Sequence, residues 1–198
     1  DYDSELRYGG NLAYQSLQGM DSGNNVIYVG TFSKSLFPGL RLGYMVVPEE
    51  LVKPFSGMRF LIDRQSNEIL QMAVAEFIKT GLYETHLLKM RRIFEARRDY
   101  LIQAVQENFG DWGKFIATGQ GMHLTFVFNN SDINDEAVAD LCRRQGVELR
   151  SISSFSIGTP LYKGLIMGFG HFPPAQLLAA VSRIGFVLRD KFAAFGPN

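Results

Sequence analysis

Short apolar runs alternate with helical apolar stripes along the chain, which predicts an α/β protein. Apolar runs at 26–29 and 40–47 favour strands, because β-branched and aromatic residues dominate them. Helical spacing of apolar residues indicates a helix that opens at Pro48 and a second that Ser66 can cap and Gly81 ends. The longest helical pattern covers 84–109.

The pattern changes after Gly110, where strands and helices become shorter. Strands are predicted at 115–118, 122–128, 147–149 and 164–169, and helices at 134–145 and from Pro173 onward. Residues 151–162 are predicted to be a loop. This arrangement predicts a small α/β unit at the end of the chain.

Lys34 is the main candidate for chemistry, because it lies on the loop between the first two predicted strands. A lysine amine in such a place can form a Schiff base with a carbonyl cofactor. Thr31, Ser33 and Arg41 are donors whose spacing suits a phosphate. Taken singly, a solvated lysine, a capping threonine and an exposed arginine are the better interpretations. Their combination favours a cofactor site.

Composition narrows the possible functions. The chain has 20 Lys and Arg against 20 Asp and Glu, a net charge near zero, with no long apolar run or signal-peptide pattern. A membrane role and direct nucleic-acid binding by this segment are therefore disfavoured. Cys142, the single cysteine, is predicted to be a small packed residue of a reduced, cytoplasmic chain. The three histidines show no ligand spacing, so no metal site is predicted.

The stretch GTFSKSLFPGLRLGY, at 30–44, resembles fold-type-I pyridoxal 5'-phosphate (PLP) proteins, since Thr-x-x-Lys is followed seven residues later by Arg. The opening DYDSELRY resembles the DDYDSEFRY signature of MocR/GabR-type transcriptional regulators of the GntR family. Those regulators fuse a helix-turn-helix domain to an aminotransferase-like domain. The resemblance continues along the chain, through HLLKMRRIFEARRDYL and GLIMGFG.

The resemblance implies a role for each matching residue. Lys34 would form the internal aldimine with PLP, and Thr31 and Arg41 would bind its phosphate. Tyr2 would hydrogen-bond the phenolic oxygen of the cofactor, although a core aromatic is the simpler interpretation. Asp1 is the second Asp of the DDY pattern, so the partner of the pyridine nitrogen is expected just before it, with Asp1 as a second candidate or a solvated carboxylate.

One position departs from the enzymes of this family. Resembling aminotransferases have Arg-x-x-Phe in the final strand, and the arginine clamps the substrate carboxylate. Here Ile166 stands in that place, and no arginine occurs between Arg150 and Arg183. Either Arg150 serves instead, or the ligand is not an ordinary amino acid, because isoleucine cannot pair a carboxylate.

The fold expected from the resemblance is the C-terminal part of a PLP-dependent transferase. Residues 1–60 would be a remnant of the PLP-binding large domain, 61–109 interdomain helices, and 110–198 a complete small α/β domain. By itself the segment is expected to hold PLP poorly, because the ring-stacking and pyridine-pairing groups would lie upstream and the site would form at a homodimer interface.

Three functions are compatible with the sequence. The first is an effector domain that binds PLP or a PLP-amine adduct and alters DNA contacts made by an upstream helix-turn-helix domain. The second is a class I/II aminotransferase, in which Lys34 would also move the substrate proton. The third is a cofactor-free interaction domain that retains only the fold. We favour the first function, because Ile166 replaces the carboxylate-binding arginine of the resembling aminotransferases.

Overall fold

The chain combines helices with two β-sheets, which confirms the predicted α/β class. The computed structural model describes residues 5–9, 15–64, 66–117 and 119–197. The helices in these ranges are α1 (Leu17–Met20), α2 (Glu49–Asp63), α3 (Glu68–Lys79), α4 (Leu82–Phe109), α5 (Asp135–Arg144) and α6 (Pro174–Lys191). The strands are β1 (Tyr28–Thr31), β2 (Gly43–Val46), β3 (Gly113–Ile116), β4 (His123–Phe128), β5 (Arg150–Ser151) and β6 (Gly164–Gly168).

The chain divides into two compact units, residues 1–90 and 91–198, and the boundary falls within α4. The predicted division into 1–60, 61–109 and 110–198 stays a prediction. In the first unit, β1 and β2 form an antiparallel pair. In the second, a four-stranded antiparallel sheet has the order β3-β4-β6-β5.

Helix boundaries in the first unit follow capping chemistry. Pro48 precedes α2 as predicted, and acidic Glu49 and Glu50 complement the positive end of its dipole. The predicted cap of α3 is wrong by one residue: the side chain of Asn67 accepts from the N–H of Leu70 at 3.2 Å. Ser66 instead accepts a hydrogen bond from the Gln71 amide at 2.5 Å.

The core of the second unit lies on one face of its sheet. Alternate residues of β4 and β6 point to this face, so Leu124, Phe126, Leu165 and Met167 are buried. Phe109, at the end of α4, packs edge-on against Phe126 with ring centres 5.4 Å apart. The predicted buried strand at 164–169 is confirmed as β6, which lies between β4 and β5.

Four predicted strands are wrong in extent. The strands predicted at 26–29 and 115–118 are each displaced by two residues, to Tyr28–Thr31 and Gly113–Ile116. Of the predicted 40–47 strand, only Gly43–Val46 forms a strand, because Pro38–Leu40 forms a 3₁₀ turn. Residues 147–149 form no strand, and the pairing with β6 is made by Arg150–Ser151 instead. The side chains of Val147 and Leu149 are buried although neither residue lies in a strand. The apolar pattern therefore reported burial and misplaced this strand.

Candidate functional site

Thr31 and Arg41 lie at the two ends of one connection between paired strands. Thr31 ends β1 and lies opposite Gly43 of β2. The N–H of Phe32 donates to the carbonyl of Leu42 at 3.1 Å, which continues the pairing by one residue. The structure therefore brings both predicted phosphate-binding residues to the base of one loop.

Lys34 lies in a single turn of that loop. The N–H of Leu36 donates to the carbonyl of Phe32 at 2.9 Å and closes the turn around the lysine. The Thr31 hydroxyl oxygen accepts from the N–H of Ser33 at 3.2 Å and the Thr31 hydroxyl donates to that of Ser33 at 2.9 Å. Local hydrogen bonds thus fix the backbone on both sides of the half-buried Lys34.

Apolar residues of the loop anchor it from below. Phe32 and Leu40 are buried with Val74 of α3. The partly buried residues that pack against this cluster are Leu36, Leu42, Leu70 and Tyr83. Apolar and polar residues alternate along the loop. The apolar side chains pack into this cluster, whereas Lys34 stays half-buried and Arg41 exposed.

Arg41 has a left-handed backbone conformation, with φ 51° and ψ 37°, directly after the 3₁₀ turn. This conformation costs roughly 1–2 kcal/mol for a residue with a Cβ atom. Such local strain concentrates at functional positions, which agrees with a binding role for Arg41. An arginine does not indicate this conformation in a sequence, since glycine is the usual residue there.

Sequence reasoning assigned no role to Tyr44 of β2. Its ring lies 5.2 Å from that of Phe32, centre to centre. Burial, followed by a hydrogen bond with Tyr28, raises the pKa of the Tyr44 hydroxyl. Tyr44 therefore stays neutral at physiological pH and can donate a hydrogen bond beside the loop. The sequence signal that could have indicated Tyr44 is its position at the end of the GTFSKSLFPGLRLGY stretch.

Sequence reasoning also missed His86. Its Nε2 atom lies 2.9 Å from the carbonyl oxygen of Ser35, although the two residues are 51 positions apart. Spacing between histidines could not reveal this contact, because its partner is a backbone carbonyl.

The donor set of the loop fits a phosphorylated aldehyde. Two hydroxyls and a guanidinium, from Thr31, Ser33 and Arg41, are the groups that bind phosphate oxygens in proteins. Lys34 lies between them in sequence and supplies the primary amine that an aldehyde requires. On donor chemistry, these residues suit PLP.

Asp1, Tyr2 and Ile166 are the other predicted positions. Asp1 and Tyr2 fall outside the described residues, so their roles stay predictions. Ile166 is half-buried on β6, in the second unit, and its cross-strand neighbours are Thr125 and Arg150.

Within the described ranges, no group of three or more His, Cys, Asp or Glu residues is placed to hold a metal ion. Over the same ranges, none of the helices combines the length and the apolar character needed to cross a membrane.

Comparison with protein families decides the relationship. The model of class I and II aminotransferases matches residues 4–170. The chain belongs to this family. The match includes both strands that flank the lysine loop, so this aminotransferase-family chain contains the predicted lysine region.

Curated relatives of this aminotransferase-family chain include transcription regulators. The chain is 32% identical over 194 residues to the probable rhizopine catabolism regulatory protein MocR of Rhizobium meliloti, covering 98% of this chain and 38% of MocR. It is 31% identical over 184 residues to the uncharacterized HTH-type transcriptional regulator YhdI of Bacillus subtilis, covering 93% of this chain and 39% of YhdI. The chain thus spans about two fifths of the length of these relatives.

A solved structure confirms the aminotransferase fold. LysN, an α-aminoadipate aminotransferase of Thermus thermophilus, superposes with a TM-score of 0.84 at 22% identity, covering 98% of this chain and 50% of LysN. LysN was solved with N-(5'-phosphopyridoxyl)-L-leucine. The predicted resemblance to PLP aminotransferases and to MocR-type regulators is confirmed.

Proposed function

We propose that this chain is the PLP-binding effector region of a MocR-type transcriptional regulator. The observation that supports this most is the match to MocR along 98% of the chain. In this proposal a helix-turn-helix domain elsewhere in the full-length, cytoplasmic protein binds DNA, and the full-length protein is a homodimer.

Each loop residue has a distinct task in the proposed site. Thr31, Ser33 and Arg41 donate hydrogen bonds to the phosphate, and the guanidinium neutralises its charge. Lys34 presents its amine to the cofactor aldehyde. When bound, PLP supplies an aldehyde that also reacts reversibly with amines from solution. The effector is then an amine that competes with Lys34.

Ile166 argues for sensing rather than turnover. An arginine at this strand position binds the substrate carboxylate in the resembling enzymes, and the half-buried isoleucine here offers no charge. An ordinary α-amino acid would therefore be held weakly. Weak binding of the amino-acid carboxylate lowers the rate of catalytic turnover more than it lowers the rate at which one amine replaces another on the cofactor.

The proposal is tested with full-length protein and a DNA duplex selected for binding to it. We expect borohydride treatment with PLP to label Lys34, as located by peptide mass spectrometry. PLP should change the DNA dissociation constant by about fivefold or more in wild type and not in Lys34→Ala.

Lys53→Ala is the matched control, since Lys53 is an exposed lysine of α2 in the same unit. It should behave as wild type. Labelling at another lysine, or an equal response of Lys34→Ala and wild type to PLP, would contradict the proposal.

A further inference from the structure

The peptide that follows Lys34 is bound by a histidine from a distant helix. Nε2 of His86, in the first turns of α4, lies 2.9 Å from the carbonyl oxygen of Ser35. A carbonyl oxygen only accepts hydrogen bonds, so Nε2 must hold the proton and donate it. The bond therefore joins the lysine turn to α4 across 51 residues of sequence.

This carbonyl lies in a buried place. Ser35 is 2% exposed, so its backbone has little access to water, and a buried carbonyl without a partner is destabilising. The Ser35 hydroxyl is also buried and has no hydrogen-bond partner among the described residues. Ser35 is therefore held by the hydrogen bond from His86 to its backbone carbonyl, and its hydroxyl makes no such bond.

His86 is itself held in place by aromatic packing. Its ring centre is 6.2 Å from that of Phe77 on α3, and Phe77 is 6.2 Å from Tyr83 on α4. Tyr83 packs edge-on against Phe32, the residue that opens the lysine turn, at 5.9 Å. The aromatic row thus connects the imidazole to Phe32, at the start of the turn.

We propose that His86 is a positioning residue for Lys34, which fixes the turn so that the lysine amine is presented to an aldehyde. The inference rests on the proposed function, in which Lys34 is the attachment point. Groups that orient a reactive side chain through the backbone act on geometry and leave the other ligand contacts in place. Thr31 and Arg41 lie before and after the turn, and Ser33, the phosphate donor within it, is hydrogen-bonded to Thr31 through both its N–H and its hydroxyl. Phosphate binding should therefore depend little on His86.

Two probes separate presentation of the Lys34 amine from phosphate binding. PLP reports phosphate contacts and attachment to Lys34, whereas pyridoxine 5'-phosphate has the phosphate and ring but no aldehyde. In full-length protein, His86→Leu should slow attachment of PLP to Lys34 by about tenfold and change the dissociation constant of pyridoxine 5'-phosphate by less than about twofold.

Matched variants separate the hydrogen bond from the packing. His86→Gln retains an N–H donor at similar reach and should attach PLP at a near wild-type rate. His86→Met is a second donor-free variant, in case His86→Leu does not fold. Lys89→Ala, an exposed change on the same helix, should have no effect. Equal weakening of both probes, without recovery in His86→Gln, would overturn the positioning role.

A readout without cofactor keeps this inference separate from the proposed function. Hydrogen exchange of residues 33–36 in the cofactor-free protein should be faster in His86→Leu and normal in His86→Gln. If wild type does not attach PLP at Lys34, the proposed function fails, while the exchange result still decides whether His86 holds the turn. Equal exchange in wild type and His86→Leu would overturn the inference.

Discussion

Arg150 lies directly opposite Ile166 where β5 pairs with β6. Directly opposed residues of an antiparallel pair have Cβ atoms about 4.5–5.5 Å apart and point to the same face of the sheet. Arg150 is exposed, and its guanidinium carbon lies 5.8 Å from the centre of the Phe155 ring. The cation that β6 lacks is therefore present one strand away, at an edge of the sheet.

Restoring an arginine on β6 should increase amino-acid turnover. Wild-type full-length protein loaded with PLP is expected to convert slowly or not at all with ordinary α-amino acids. Ile166→Arg should accelerate the half-reaction by about tenfold or more, because a planar guanidinium binds a carboxylate through two hydrogen bonds. Single-turnover absorbance spectra measure the rate.

Two controls define that result. Ile166→Leu retains the apolar character and should stay slow, and Ile166→Lys should gain less because an ammonium lacks the fork geometry. Rapid turnover by wild type would contradict our preference for a sensor. In that case Arg150→Ala would show whether the neighbouring arginine binds the carboxylate.

The lysine loop could be predicted because its information is local. Thr31, Lys34 and Arg41 lie within one short stretch between two apolar runs, and the structure places them on one connection. The left-handed conformation of Arg41 could not be predicted, because it follows from the 3₁₀ turn that shortens the strand. His86 could not be predicted either, because its contact forms only when α4 packs against the loop.

Strand ends were less predictable than strand existence, for a physical reason. Apolar periodicity reports which side chains are buried, whereas the end of a strand depends on its hydrogen-bonding partner. Val147 and Leu149 are buried without forming a strand, and Arg150–Ser151 forms one because β6 lies beside it. Asn67 likewise replaced Ser66 as a cap because both residue types can accept the same N–H.

Asp135 should be important for the stability of the second unit. Its side chain is 1% exposed and accepts hydrogen bonds from the N–H groups of Ser153 and Gly164 at 3.0 and 2.9 Å. Asp135→Ala leaves two buried donors without this acceptor, so we expect a loss of about 2–5 kcal/mol in the free energy of unfolding. Urea unfolding monitored by circular dichroism measures it.

Asp135→Asn keeps an oxygen in the same place and should cost less than Asp135→Ala. Glu136→Ala changes an exposed neighbour in the same helical turn and should have a small effect. Equal stability of Asp135→Ala and Glu136→Ala would show that the two backbone N–H groups find other partners.

Cys142 should be chemically inert in the folded protein. It is fully buried on α5, and burial raises the pKa of its thiol from 9.0 to about 11. At pH 8 the thiolate fraction is small, so a thiol reagent should label it only after urea is added. Fast labelling in native buffer would contradict the buried placement.

The same shift predicts an alkaline loss of stability. The folded pKa is raised, so the folded state holds the thiol proton more tightly than the unfolded state does. Stability from this group is complete below the unfolded value and is lost as the pH rises from about 9 towards 11. Cys142→Ala should show a shallower decline over that range, measured by urea unfolding at each pH. An identical decline in both proteins would exclude the thiol as its source.

Gly30 leaves space for the Tyr44 ring beside the lysine loop. The two residues are paired across β1 and β2, and a Cβ atom added at Gly30 would lie far inside van der Waals contact with the Cζ atom of Tyr44. The ring would therefore have to move.

Gly30→Ala should therefore displace Tyr44 and lower the stability of the full-length protein by about 1–3 kcal/mol, because overpacking forces side chains out of their rotamers. Gly39→Ala is the matched control within the loop, since its new Cβ atom would meet Phe37 at an ordinary 3.6 Å. Tyr44→Ala removes the obstructing ring, so adding Gly30→Ala to Tyr44→Ala should lower the free energy of unfolding only slightly. A double-mutant cycle in urea measures this as a coupling energy.

The displacement of Tyr44 in Gly30→Ala should also slow PLP attachment at Lys34, because Tyr44 packs on Phe32 at the start of the turn. If Gly30→Ala destabilises the protein equally with and without the tyrosine ring, the close approach of these two residues is not what requires glycine.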